Sequence, residues 1–197
     1  MIIQSKVITQ PQSEPVTVAE ARQHLRIDGT DEDTYIDILI KVARQLCEQY
    51  SGLSFITQQR EIKLDRFPCA KTIEIPYGPV QTIDDFVYID NNGYSQPLTE
   101  DTDFIVDIHS SPARVQYVNS WPSTLDRFSS VTIAYTSGYA NDDHDPVPEV
   151  IKQAMLLQIG SMYENRQNDV LGMGVNSLNM NSEYLLDMVK VYWNANA

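Results

Sequence analysis

The feature that most constrains this chain is a double change in the period of its apolar residues. From Thr17 to Tyr50 they recur at the three-and-four spacing of a helix. From about residue 56 to 137 they alternate, as in strands with one buried face. From Pro148 to Arg166 the helical spacing returns. A chain ordered helix, strand, helix over 197 residues fits one domain with an inserted module, long enough to bury a core without metals or disulfides.

The boundaries carry their own punctuation. Thr17 stands three residues before Glu20, the spacing of a capping box, and Ala21 and Leu25 share a face of the helix it opens. A second helix is expected from about Asp31 to Tyr50, with Tyr35, Ile36, Leu39, Ala43, Leu46, Cys47 and Tyr50 on one side and Gly52 as a left-handed cap. Between 57 and 137, short alternating runs broken by Pro and Gly predict five to seven strands in a small antiparallel sheet or barrel, with a tight turn at Asn92-Gly93. The reading is therefore an α+β fold: mainly a helical bundle of two N-terminal helices (15–55) and C-terminal helices, carrying an inserted β module (56–137). A core helix follows (146–167), then a linker and a C-terminal amphipathic helix (168–197).

The core helix, "EVIKQAMLLQIGSMYENR", is apolar on nearly every side. Such a helix is buried on several faces, within its own domain or against another subunit. Val150, Ile151, Met155, Leu156, Ile159, Met162 and Tyr163 are the candidate subunit-interface residues. In the last segment Leu185, Met188, Val189 and Tyr192 fall on one helical face with Trp193 adjacent. That helix either packs back on its own domain or docks on a partner.

Charge narrows the partners. There are 27 acidic against 14 basic residues, a net charge of −13, spread along the chain with neither an acidic tail nor a basic patch. Tight binding to phosphates needs clustered Lys or Arg, so nucleic-acid binding and docking on anionic membrane are both disfavoured. No apolar run approaches the length of a membrane span, and "MIIQSKVITQPQ" lacks a signal-peptide core. Cys47 and Cys69 lack the spacing of a redox or metal motif and read as reduced thiols.

Two acidic clusters were weighed as metal sites. In "DGTDEDTYI" (28–36) the sixth and twelfth positions of a calcium loop are wrong. The stretch reads instead as an Asp-Gly turn and a helix start, with Thr30 as N-cap and Asp31, Glu32 and Asp33 in the first turn. "DDHD" (142–145) reads as a solvated turn before Pro146, because adjacent loop residues seldom converge on one ion. No nucleophile, zinc-protease or phosphate-loop motif is present, and "GMGVN" (172–176) lacks the strand and helix that a dinucleotide loop requires. No cofactor, metal or catalytic residue is expected.

In order, "PVTVAEARQHLRIDG", "DEDTYIDILIKVARQLCEQYSG", "DRFP", "IPYGPVQTI", "WPST", "VTIAYTSGY" and "VPEVIKQAMLLQIGSMYENR" resemble the head–tail connector (adaptor) family of tailed bacteriophages and prophages over residues 15–168. Pro-Val-Thr at the start and the closing "YENR" are the most specific pair. The resemblance implies a non-enzymatic protein of the virion neck, assembled in the host cytoplasm. It would form a ring of about a dozen copies under the portal, extend the DNA channel, and offer a surface to the next head-completion or tail protein. A dispersed acidic charge suits DNA that must slide past without sticking, and the C-terminal helix becomes the candidate portal-docking element. The competing readings are another neck or tail-completion (stopper) role and a metal-dependent enzyme built on the β module.

Overall fold

Each change of apolar period coincides with a change of backbone type in the computed structural model, which describes residues 3–140, 145–166 and 180–192. Contacts divide the chain into two compact units. One comprises residues 1–11, 52–138 and 191–197; the other comprises 12–51 and 139–190.

The first unit is built of strands. β1 (Ile3–Thr9), β2 (Gln58–Leu64), β8 (Val131–Ser137), β4 (Val80–Ile89) and β5 (Ser95–Pro97) form a five-stranded antiparallel sheet in that order. β3 (Thr72–Ile75), β7 (Ala113–Tyr117) and β6 (Phe104–Asp107) form a three-stranded antiparallel sheet. Alternation explains the packing. In β8, Val131, Ile133, Tyr135 and Ser137 point inward, and β2 opposes Ile133 with Ile62 and Val131 with Leu64. These residues, with Ile73, Ile75, Val80, Phe86, Phe104 and Val115, make one buried cluster. The buried Tyr135 hydroxyl donates to the Pro76 carbonyl at 2.7 Å, so its polar end is satisfied within the core.

This corrects the expected architecture. Among the described residues there are eight strands in two antiparallel sheets and four helices, so the chain is not mainly a helical bundle with a small β insertion. The β part carries a full core of its own. It is also completed from outside the predicted stretch: β1 pairs with β2 from the far N-terminus. β1 escaped the period test because Ile3, Ser5 and Val7 alternate with Gln4, Lys6 and Ile8, leaving neither face uniformly apolar. At Asn92-Gly93 only Gly93 takes a positive φ, of +85°. The hairpin loop is closed by Asp90, whose carboxylate accepts from the Asn92 and Tyr94 amides, with the Gln96 side chain foremost among the donors that lower its pKa.

The second unit is helical. α1 (Val18–Leu25) starts in the expected capping box: the Glu20 amide donates to Thr17 Oγ1, and the Thr17 amide donates to Glu20 Oε2. It ends on Arg26 in the left-handed region. α2 (Asp33–Ser51) begins two residues later than expected, so Asp33 alone of the three carboxylates lies in its first turn. Asp31 and Glu32 belong to the turn before it, closed by Asp33 N–H donating to Thr30 O. Gly52, at φ +71°, follows the last residue of α2 as expected. α3 (Glu149–Glu164) follows Pro148, and α4 (Met180–Asp187) completes the unit.

Gly138 explains why "TSGY" is written as it is. Its φ is +113°, and a Cβ there would lie 2.2 Å from the Ile56 carbonyl oxygen. At Gly93 a Cβ meets nothing. Gly138→Ala is therefore expected to cost more than about 4 kcal/mol in urea unfolding, and Gly93→Ala only about 1–2 kcal/mol, the strain of a left-handed Ala. Equal costs at the two sites would contradict this account of Gly138.

Candidate assembly surfaces

The helical unit is held by charges at both ends of the family-like segment. Before α1, Glu14 reaches the buried Arg44 of α2, Oε2 to Nε 2.8 Å, and Glu48 one turn further on meets Arg44 Nη1 at 3.1 Å. A buried guanidinium needs such partners, because removing one would leave an uncompensated charge. Glu14, the buried Val16 and the Thr17 cap give "EPVT" its meaning: they fasten the chain entry onto α2.

At the other end, Glu32 receives both Arg166 Nη2, at 2.9 and 3.0 Å to its two oxygens, and the Tyr163 hydroxyl. The Arg166 guanidinium lies 4.7 Å from the ring centre of Tyr35 and 4.5 Å from that of Tyr163, so it rests against both rings. This arrangement is the physical content of "YENR". The Tyr163 hydrogen bond, followed by Arg166, holds the Glu32 carboxyl below the ordinary carboxylate range. The same bond raises the Tyr163 hydroxyl pKa.

α3 divides the seven candidate interface residues. Ile151, Met155 and Ile159 are wholly buried within this one chain, together with Ala154 and Gln158. Val150, Leu156, Met162 and Tyr163 are half-buried, and Tyr163 is engaged with Glu32. The apolar surface left for a neighbour is thus Val150, Leu156 and Met162, with Leu157 beside them.

The C-terminal helix packs back on its own unit and still leaves a face open. Leu186 is fully buried, Ser182 Oγ donates to the Ala154 carbonyl of α3 at 3.1 Å, and the Tyr50 hydroxyl of α2 donates to Asp187 at 2.8 Å. Lys190 Nζ sits 3.8 Å from the centre of the Tyr50 ring. The candidate docking residues do not share one helical face, because α4 ends at Asp187 and Met188 and Val189 lie in the turn after it. Leu185 and Val189 are half-buried, Met188 and Tyr192 are exposed, and Trp193 lies outside the described residues. Met180 and Tyr184 are exposed on α4 itself. The anchor that sequence reasoning missed is Ser182 and Leu186, four residues apart on the side opposite Tyr184.

Among the described residues no three His, Cys, Asp or Glu side chains are grouped to hold a metal ion, and no helix is long and apolar enough to cross a membrane. In "DDHD", residues 142–144 lie outside the described residues, and Asp145 accepts from the Ala140 amide at 2.9 Å. The "GMGVN" stretch is outside them as well. Cys47 is buried, which pushes its thiol up to about 12, and Cys69 is exposed.

Residues 15–95 match the family model of phage gp6-like head–tail connector proteins. Solved structures share the fold over 97% of both chains. One comes from the neck of an empty GTA particle computed with C6 symmetry (TM-score 0.77, 18% identity). Another comes from the virion of a native gene transfer agent particle (TM-score 0.76, 18% identity). A third comes from the neck of a native GTA particle computed with C12 symmetry (TM-score 0.70, 17% identity). No curated protein sequence matches the chain.

The Glu32 clamp makes a pH prediction. A depressed folded-state pKa contributes stability above the unfolded carboxyl pKa of about 4.3. That contribution is lost as pH falls through the folded value. Glu32→Gln should be less stable than wild type at pH 7 and should converge on it below about pH 4. A constant difference from pH 7 to pH 3 in thermal melts would show that the charge of Glu32 is not what holds Arg166 and Tyr163.

Proposed function

We propose that this chain, whose residues 15–95 match the model of the phage gp6-like head–tail connector family, is a structural adaptor of the phage neck. It binds the portal as a ring, extends the DNA channel and offers the attachment surface for a head-completion or tail protein. The family match is the observation that carries this reading. The sharing of fold with neck chains over their whole length supports it.

Features of the chain itself agree. A ring needs each copy to offer a neighbour an apolar surface, and Val150, Leu156, Leu157 and Met162 on α3 remain partly accessible after the chain has buried its own core. A channel for DNA needs walls that phosphate does not stick to, and a net charge of −13 supplies repulsion instead of binding. α4 is fastened by Leu186 and Ser182 while Met180, Tyr184 and Met188 stay exposed. That gives the C-terminal segment an anchored side and a side for the portal.

The test is mass photometry of the chain mixed with purified portal rings. Portal-bound mass should increase by a ring of chains. Leu156→Asp, placed at the copy-to-copy surface, should reduce occupancy at least about tenfold, the scale of an interface hot spot. Removing residues 177–197 should weaken portal binding. A portal whose mass never changes would contradict the connector role. Unchanged binding by the truncated chain would contradict portal docking by the C-terminal segment.

A further inference from the structure

The tetrapeptide Leu-Asp-Arg-Phe occurs twice, at 64–67 and 125–128, and the β unit brings the two copies together: the Ser129 amide donates to Asp65 Oδ1 at 3.0 Å. The two phenylalanines then go opposite ways. Phe67 stacks on Trp121, ring centres 4.8 Å apart and planes 3° from parallel. Phe128 is 81% exposed, the most exposed large apolar side chain among the described residues.

The loop carrying Phe128 is tightly fixed. The Arg127 amide donates to the Leu125 carbonyl at 2.9 Å, Ser130 Oγ reaches the carbonyls of Leu125 and Arg127 at 2.8 and 3.0 Å, and the Leu125 amide donates to Ile89 O at 3.1 Å. Ser129 is held at φ +56°. Arg127 precedes Phe128 and donates from Nε to its carbonyl at 3.4 Å, while Arg66 follows the Asp65 that holds Ser129; both arginines are exposed, as is Asp126. In a chain with 27 acidic residues, neither guanidinium has a carboxylate partner among the described residues. A fixed aromatic beside two unpaired arginines has the composition of an interface anchor, with the ordering cost already met by folding.

The same unit carries a surface of the opposite character. A pocket of about 160 Å³ is walled by Tyr88, Leu98, Trp121 and Pro122, with Asp103 and Asn119 on its lining. Asp103 closes the turn from Thr99, its carboxylate accepting the Thr99 amide at 2.8 Å, and the exposed Glu100 and Asp101 stand in that turn beside it. The pocket is therefore mixed, with Thr102, Asp103, Asn119 and Ser120 facing the four apolar residues, and acidic on the side of Glu100, Asp101 and Asp103. Its acidic side is opposite in charge to the arginines beside Phe128.

We infer that the Arg66–Arg127–Phe128 tip of one copy seats in the Tyr88–Leu98–Trp121–Pro122 pocket of a second copy, with the arginines meeting the Glu100–Asp103 rim. The occupant is the chain itself because its own surface holds both complementary halves. Two strongly acidic copies could otherwise approach only against their mutual repulsion, and this contact places the unpaired cations of one on the anions of the other. This adds to the α3 surface a second contact between neighbours, and it rests on the reading that copies of the chain meet side by side.

Two single-cysteine variants test it in a Cys69→Ser background that leaves only the buried Cys47: Asp126→Cys, exposed beside the tip with Phe128 kept, and Asn119→Cys on the pocket lining. They are oxidised separately and mixed, both free at high concentration and on portal rings, with melting curves confirming that each folds. The contact predicts a disulfide dimer that appears only in the mixture. Phe128→Ala should weaken self-association about tenfold. Absence of the mixed disulfide both free and on the portal would overturn the contact. If wild-type chains still form a ring on the portal in that case, the ring reading survives and this contact alone falls. If no ring forms but the mixed disulfide appears in the free chain, the contact stands without the ring.

Discussion

One carboxylate holds the helical unit closed. Glu32 lies at the turn into α2, and its partners Tyr163 and Arg166 follow in the chain only after the whole β unit has been made. The link to Arg166 spans 134 residues of sequence, so this unit is assembled from two stretches of chain that are distant in order and adjacent in space. Such closure is costly in loop entropy. It is repaid by α2 packing on α3, by the guanidinium resting against Tyr35 and Tyr163, and at the other end by Arg44 between Glu14 and Glu48. Glu14, directly before Pro-Val-Thr, and Tyr163 and Arg166 of "YENR" are therefore the two fastenings of α2.

Those fastenings decide what α3 has left to offer. Ile151, Met155 and Ile159 are consumed in closing the unit, and the half-buried Val150, Leu156, Leu157 and Met162 remain. An unusually apolar helix thus divides its residues between a buried set and a partly accessible set. α4 follows the same logic with Leu186 inward and Tyr184 outward. The β unit builds its core from two sheets of its own, and its rim carries an exposed Phe128 and an acid-edged pocket.

Much of this was legible in the residues. The capping box at Thr17, the Gly52 cap and the strand-rich stretch between 57 and 137 all rest on local rules, and local rules are visible in sequence. The balance of the fold was not. β1 hides because its pattern favours neither face, and its pairing with β2 is a long-range fact. The burial of Arg44 and Glu48 was also hidden, because two charged residues on an apolar face look like an interruption until each is seen to satisfy the other. Glu32 looked like a helix-start carboxylate, and only the return of the chain at Tyr163 and Arg166 gave it another task. The twin Leu-Asp-Arg-Phe was the overlooked repeat: four identical residues give no hint that one phenylalanine is stacked and the other bare.

The account stands on the proposed placement of this chain between portal and tail. Electron cryo-microscopy of an assembled neck containing it tests that placement directly. The prediction is a closed ring of copies seated coaxially on the portal, with α3 between neighbours and an axial opening through which DNA passes. A particle in which the chain lies away from the portal, or in which copies sit singly without touching one another, would contradict it.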